Sequence, residues 1–364
     1  MKSNRLIEYF HNFFEKNGWN FEDSKQITRG DLNLLFQISG GSVLEKELSG
    51  ISDSKYERIA SFQNCLRTDT WEKIGYSGRH HLVFGMIGHF MFFEKDELST
   101  KKIMIETALK FLVDCLNIQL TKLAVSINPT DDISFAVWQS LGIENIRENP
   151  KNVSVDPFDM RYGTRTEIIS LGPSGTECEL WNIVFHSNSY KEDGKNHKIS
   201  ADSGASIDRL IRARDQKDND YETAYWCEFI SLISDNSATK IRLAEMLKAS
   251  VFLLNENLSP SNKGAPYVLR KIIRESYNLS ETSESCLSDY TTAERYWLDS
   301  NISKVNIFKL EVDAYQLALR KGEKELLKIL DRKGKLDEND FIFLSDSFGY
   351  PKTLAIKKVG IYEK

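Results

Sequence analysis

Arg67, Arg79, His80 and His81 fall within one stretch, FQNCLRTDTWEKIGYSGRHHLVFGMIGHFMFF, at residues 62–93. A planar guanidinium beside a flexible loop can clamp a phosphate through two parallel hydrogen bonds. The loop holds two glycines, Gly75 and Gly78, and the run after it carries the aromatics Phe84 and Phe90. An aromatic on that second strand can stack a purine. The stretch reads as strand, polar loop, strand, and suits a nucleotide site on a β-hairpin. No GxxxxGK[ST] occurs in the chain, so the site is not a P-loop. The same residues also suit an ordinary amphipathic hairpin with a charged loop.

A second concentration of charge lies at Pro260–Arg274, PSNKGAPYVLRKIIR, with Lys263, Arg270, Lys271 and Arg274 and no acid. Arg270 and Arg274 share one face of a helix. They suit either a local nucleic-acid surface or a solvated basic face. The formal charge of −5 gives the chain no global pull toward nucleic acid, so any such surface is local. The five cysteines are odd in number, widely spaced and contain no CxxC pair. That pattern argues for a reducing compartment and against a disulfide framework. No zinc is expected, and His80–His81 lacks the spacing of helical metal ligands. No apolar run approaches a membrane span and the N-terminus has no apolar signal region, so the expected location is cytoplasmic, with no membrane partner.

These residues need elements to hold them, and 364 residues call for two or three domains. Leu6–Phe14 starts an amphipathic helix, and the apolar run at 32–39 reads as a strand. Apolar spacing predicts a helix over 103–116, a strand over 121–127 and a helix over 131–141 with an Asp-rich start. At 180–186, Trp181, Ile183 and Phe185 alternate with Asn182, Val184 and His186, as in a strand. ADSGASIDRLIRAR at 201–214 is a turn running into a helix. Helices are expected at 240–256, 265–278, 291–330 and 337–344, with a turn, SFGYP, at 347–351. The fold class is α+β: a mostly antiparallel sheet domain at 1–235, then an all-helical domain at 236–364.

Six segments in order carry a resemblance: DLNLLFQISGG (31–41), QNCLRTDTWEKIGYSGRHHLVFGMIGHF (63–90), LWNIVF (180–185), ADSGASIDRL (201–210), SPSNKGAPYVLRKIIR (259–274) and FLSDSFGYPKTLA (343–355). The chain resembles the N-terminal half of the alanyl-tRNA synthetases, class II aminoacyl-tRNA synthetases. The short loop after Arg67 looks more like the archaeal form. The resemblance implies the class II antiparallel sheet flanked by helices at 1–235 and a helical domain binding the tRNA acceptor stem at 236–364. The chain stops where the family's editing domain would begin and lacks its C-terminal dimerising domain. A monomer without proofreading is the expectation.

The implied chemistry is ATP-dependent activation of an amino acid, alanine by the resemblance, as an aminoacyl-adenylate, then transfer to the terminal adenosine of tRNA. Such chemistry needs positioning and charge neutralisation more than a covalent nucleophile. Arg67 matches the arginine of the family's second motif, holding the α-phosphate and the attacking carboxylate. Arg209 matches the third-motif arginine, on the γ-phosphate and adenine. Arg79 and His80 match the loop pair that approaches the phosphates, and Phe90 is the candidate for adenine stacking. Asp202 matches the aspartate that binds the α-ammonium, and Gly204 the glycine beside the amino-acid site. Val184 and Trp181 match pocket walls. Glu179 is the candidate for Mg²⁺. Asn262 and Asp346 match the readers of the G·U wobble pair in the acceptor stem, flanked by the basic Arg270 and Arg274.

The chain departs from the family around the amino-acid and adenine pockets. MRYGTRTEI (160–168) replaces the GPCGPC loop, Phe158 an upstream tryptophan, and Gly85 the glutamate of FEML. SGG at 39–41 replaces AGM, and Ser206 the last glycine of VDTGMG. These changes open an alternative: a paralogue that activates an amino acid for a dedicated pathway, passing it to a carrier or small molecule. A catalytically silent RNA-binding relative is a third reading, which the intact pair Arg67 and Arg209 argues against.

Overall fold

Alternating apolar and polar residues build a nine-stranded sheet in the first part of the chain. The computed structural model describes residues 3–29, 34–48, 51–94, 96–155, 162–187, 199–234, 238–280, 282–298 and 302–362. The chain divides into two units, Met1–Leu232 and Ile233–Lys364.

The strands of the first unit are β1 (Asn20–Glu22), β2 (Arg58–Leu66), β3 (Val83–Glu94), β4 (Leu123–Ile127), β5 (Ile146–Glu148), β6 (Val153–Val155), β7 (Tyr162–Leu171), β8 (Glu177–Ser187) and β9 (Ile199–Ser206). Their order is β1-β2-β3-β9-β8-β7-β4-β5, with β6 on β7. Pairing is antiparallel throughout, except that β1 runs parallel to β2 and β4 parallel to β5. The helices are α1 (Ser3–Lys16), α2 (Glu45–Leu48), α3 (Glu97–Lys110), α4 (Asp132–Ser140), α5 (Ile207–Arg214) and α6 (Ala224–Leu232). The Asp-rich start at 131 is an N-cap: the Asp131 carboxylate accepts from the Ser134 amide at 3.0 Å.

The two faces of the sheet divide as strand periodicity requires. On the back, Trp181, Ile183 and Phe185 are buried, and α3 packs on β3, β8 and β9. The front face at the centre presents Asn182 and Val184 from β8 beside Gly204 and Asp202 from β9. At Gly88 the strands β3 and β9 approach so closely that a Cβ would lie 2.2 Å from the Ser203 carbonyl oxygen, so only glycine fits. A bulge breaks the alternation in β8: Ile168 opposes Trp181 while Ile169 opposes Glu179, leaving Leu180 as the extra residue.

Three expectations change here. The stretch expected as a turn before the helix in 201–214 is strand β9, which runs to Ser206 directly into α5 at Ile207. Of the strand expected at 32–39, residues 32 and 33 lie outside the described residues, and 34–39 makes only an isolated bridge, Thr28 with Phe36. It leads into a 3₁₀ turn at Gly40–Leu44. The helix expected to run to 116 ends at Lys110 and widens into a π turn at Phe111–Cys115.

The second unit comprises α7 (Lys240–Asn255), α8 (Gly264–Leu279), α9 (Ser283–Trp297), α10 (Val305–Lys333), α11 (Glu338–Phe348) and α12 (Lys352–Tyr362). Its described residues contain no strand. The helix α7 is buried along most of its length and packs on α8 and α9. The single helix expected at 291–330 is two. The Glu294 carboxylate accepts from the backbone N–H of Lys304 at 2.6 Å, so the end of α9 supplies an acceptor to the orphan donors that begin α10. The turn SFGYP contains the left-handed cap of α11, Gly349 at φ 61°.

Candidate active site

Front-face side chains and the β2–β3 loop enclose a cavity of about 480 Å³. Arg67, Arg79, His80, Glu179, Val184, Asp202, Gly204 and Arg209 all line it. It thus gathers residues separated by up to 142 positions in sequence onto one surface.

The guanidinium of Arg67 is held at one edge. Its Nε donates to the Ile38 carbonyl at 2.8 Å, and its Cζ lies 5.3 Å from the centroid of the Phe84 ring. Its terminal nitrogens make no hydrogen bond among the described residues, which leaves them available to an oxyanion. The loop after Arg67 is closed by the Arg67 amide donating to the Leu82 carbonyl at 3.1 Å. His80 packs its ring Nδ1 2.7 Å from Ser77 Oγ. Partial burial lowers the His80 pKa, and Arg79, Arg209 and Lys73 lower it further, which favours the neutral ring.

Across the cavity, Arg209 projects from the first turn of α5. Its Nη1 donates to the Glu179 carbonyl at 3.1 Å and lies 3.6 Å from Glu179 Oε2. Glu179 is well exposed, and its neighbour Glu167 is pushed above the usual carboxylate range by burial and then by the Glu179 charge. Among the described residues no group of three or more His, Cys, Asp or Glu side chains could by itself hold a metal ion.

At the sheet centre, Asp202 Oδ2 lies 2.9 Å from His186 Nε2. His186 is buried, and its Nδ1 has no hydrogen-bond partner among the described residues. Beside Asp202 the cavity floor is Val184, Met86 and Gly204. A Cβ on Gly204 would lie 3.0 Å from Met86 Sδ, so the glycine keeps this corner open. Asn182 lines the same corner, with a buried Oδ1 that no described residue hydrogen-bonds. Beneath Asp202 and Gly204, Ser203 Oγ sits 2.6 Å from Nδ1 of the buried His89, whose Nε2 is 3.0 Å from the Met104 carbonyl. That carbonyl can only accept, so Nε2 carries the proton and Ser203 donates to Nδ1. Burial pushes the His89 pKa down to about 3.

Two of the expected site residues are not at the cavity. Trp181 is fully buried on the back of the sheet, 5.9 Å from Phe111 and 5.5 Å from His89 between ring centroids. It cannot wall a pocket that Val184, three residues on, faces from the front. Phe90 is also fully buried, in an apolar cluster with Val43, Leu44, Leu48, Ile59 and Phe92 under the 3₁₀ turn. Among the described residues Phe84, beneath Arg67, does line the cavity. Residues 31–33 of the first resemblance segment, Phe158, Met160 and Arg161 lie outside the described residues.

In the second unit, Asn262 and Asp346 are exposed. Asn262 Oδ1 accepts from Arg270, whose Nε lies 3.3 Å from Glu311 Oε1. The same oxygen takes Arg274 Nε at 2.7 Å. Arg274 lies over the Tyr315 ring, with its Cζ 4.8 Å from the centroid. Its Nη1 is 3.2 Å from where a Cβ on Gly349 would stand, at the end of the helix bearing Asp346. One carboxylate therefore orders two guanidiniums and offsets only one of their two charges.

The family described as tRNA synthetases class II (A) matches residues 5–359. The chain belongs to that family. Curated relatives include the alanine–tRNA ligase of Thermotoga sp. strain RQ2, 28% identical over 408 residues covering 98% of this chain and 46% of the relative. The alanine–tRNA ligase of Ruthia magnifica is 30% identical over 312 residues, covering 75% of this chain and 36% of the relative. This class II chain thus spans about half the length of the curated relatives it matches. Among solved structures, the apo histidyl-tRNA synthetase of S. aureus aligns over 60% of this chain and 67% of that one, with a TM-score of 0.42 and 13% identity.

Within this class II domain, sequence reasoning overlooked Met86, Asn182 and His186. The signal was available for the last two. They share the front-face alternation with Val184.

Proposed function

We propose that this chain uses ATP to activate an amino acid as an aminoacyl-adenylate and then transfers it to the terminal adenosine of a tRNA. The observation that carries this is the placement of Arg67, Arg209 and Asp202 around one cavity. A substrate carboxylate oxygen attacks the α-phosphorus. The bond from that phosphorus to the bridging oxygen breaks, and pyrophosphate leaves. Arg67 neutralises the charge gathering on the α-phosphate and aligns the attacking carboxylate, while Arg209 holds the far phosphates. Phe84 gives the adenine a stacking face. Asp202 faces the substrate ammonium. In the second step a ribose hydroxyl attacks the acyl carbon and AMP departs.

Magnesium fits this site with the phosphates present. It accepts one or two carboxylates plus phosphate oxygens and water, and Glu179 is exposed to the cavity to provide one. The ion would neutralise phosphate charge. Alanine is the amino acid named by the curated relatives, and the small corner kept by Gly204 and Met86 suits a small side chain. Asn262 and Asp346, with Arg270 and Arg274, form the proposed acceptor-stem surface, with a G·U pair as its target.

The second reading, activation for a dedicated pathway, differs in its acyl acceptor. Gly85 does not bear on that choice: a Cβ there would meet the Phe62 ring at 2.9 Å and Ile207 at 3.1 Å, on the face of β3 away from Phe84 and Met86, which line the cavity. ATP–pyrophosphate exchange across all the proteinogenic amino acids, followed by charging of acceptor-stem minihelices, tests both readings. Exchange with alanine and charging of a G·U minihelix are expected. Exchange without minihelix charging would favour the dedicated pathway, and no exchange with any amino acid would end both.

A further inference from the structure

Asp220 lies in a 3₁₀ turn, Asp220–Glu222, and is completely buried. Its Oδ2 is 2.9 Å from His81 Nε2, and its Oδ1 is 3.6 Å from Nη1 of the buried Arg212. His81 directly follows His80 in the β2–β3 loop. Arg212 stands one turn after Arg209 on α5. A single carboxylate therefore joins the loop bearing Arg79 and His80 to the helix bearing Arg209.

Other contacts repeat the same connection. The Asp220 amide donates to the Gly78 carbonyl at 2.9 Å, and the Tyr221 hydroxyl donates to the His80 carbonyl at 3.2 Å. The His81 ring stacks on Trp226, 5.3 Å between centroids and 11° from parallel, while Trp226 Nε1 donates to Asp208 Oδ1 at 2.8 Å. Asp208 immediately precedes Arg209. Gly78 sits at φ +70°, where a Cβ would meet the Asn219 side chain at 2.8 Å, so the loop backbone closes on the turn without room for a side chain. The loop is gripped by its backbone and by His81. The side chains of Arg79 and His80 are left to the cavity.

We propose that Asp220 is a positioning residue for ATP: it fixes the β2–β3 loop in register with α5, so that the two phosphate-facing arms exist before nucleotide arrives. This rests on the adenylation reading. A glycine-containing loop without such an anchor samples many conformations. Apparent affinity then falls in proportion to the competent fraction.

The test is calorimetric titration with Mg²⁺ and the imido analogue of ATP, beside exchange kinetics. Asp220→Asn keeps the shape and an acceptor for His81 but removes the charge facing Arg212. Tyr221→Phe removes only the bond to the His80 carbonyl, and stands in if the first variant does not fold. Binding about tenfold weaker in the first and about threefold weaker in the second is expected, with the amino-acid KM within about twofold of the parent. Parental nucleotide affinity in Tyr221→Phe and in folded Asp220→Asn would overturn the proposal. So would an equal rise in the KM values for both substrates. A parent that binds the analogue but exchanges with no amino acid would remove the adenylation reading alone, because the affinity comparison still reads the anchor.

Discussion

His186 Nε2 lies 2.9 Å from Asp202 Oδ2, so the carboxylate proposed to meet a substrate ammonium already holds one protein donor. The pairing fixes the side-chain rotamer and leaves the other oxygen for the ligand. A hydrogen bond to a charged group contributes about 1.5–3 kcal/mol, roughly a tenfold effect or more. His186→Met should therefore raise the amino-acid KM about tenfold in pyrophosphate exchange while the ATP KM stays put. His186→Gln, which keeps a donor, should recover part of the loss. Equal rises in both KM values would mean general damage to the sheet.

Phe84 and Phe90 lie on the same strand face, both buried, and should differ in their effect on ATP. Phe84→Ala removes the proposed adenine platform. Stacking is worth about 1–3 kcal/mol per base, so the ATP KM should rise about fivefold or more, and because Phe84 is only 7% exposed its removal should also lower stability. Phe90→Ala opens a void in the cluster under the 3₁₀ turn and should cost about 3–5 kcal/mol in urea unfolding. An ATP defect confined to Phe90→Ala would reverse the assignment.

Arg67→Ala should lower kcat for exchange by at least about a hundredfold, the range for losing a charge-stabilising donor in a reaction of this type. Arg209→Ala should act more on the ATP KM than on kcat. Unchanged exchange in Arg67→Ala would remove the basis for placing the reaction in this cavity.

Substitutions in the helical unit should spare exchange and affect only transfer. Asp346→Ala and Asn262→Ala are expected to reduce discrimination between G·U and G·C minihelices. Arg274→Ala should weaken both minihelices alike and lower the salt dependence of binding by about one counterion. Loss of discrimination in Arg274→Ala with none in Asp346→Ala would exchange their roles.

His89 makes stability depend on pH. Burial holds its native pKa at about 3, against about 6.5 in an unfolded chain. Below about pH 6.5 the unfolded state gains a proton that the native state refuses, so stability falls as pH drops toward 3. The loss approaches about 1.4 kcal/mol per pH unit and vanishes above neutrality. Urea unfolding at pH 7, 6 and 5 should show this slope in the parent and a shallower one in His89→Gln. Parallel slopes would mean that His89 is not the group responsible.

Local pattern revealed much of this molecule, and it failed mostly where distant residues decide. The alternation at 181–186 places Val184 and Asn182 on one face and Trp181 on the other, whereas motif matching alone puts Trp181 in the pocket. Phe84 and Phe90 share strand parity, so periodicity cannot separate them. They stand roughly 20 Å apart along the strand, and which end is open depends on where the 3₁₀ turn at Gly40–Leu44 comes down. The break between α9 and α10 was hidden because Glu294 caps the second helix from within the first. Asp220 gave no sequence signal, since its importance comes from His81 and Arg212, far away in the chain.

The extra residue at Leu180 gives β8 two phases. From Trp181 onward, odd-numbered side chains go to the back of the sheet. Before the bulge, odd-numbered Glu179 comes to the front, opposite Ile169. Removing Leu180 would leave composition and hydrophobicity almost untouched. It would also turn Glu179 away from Arg209, or else turn Asn182 and Val184 away from the cavity. In this strand, length itself sets which side chains reach the cavity.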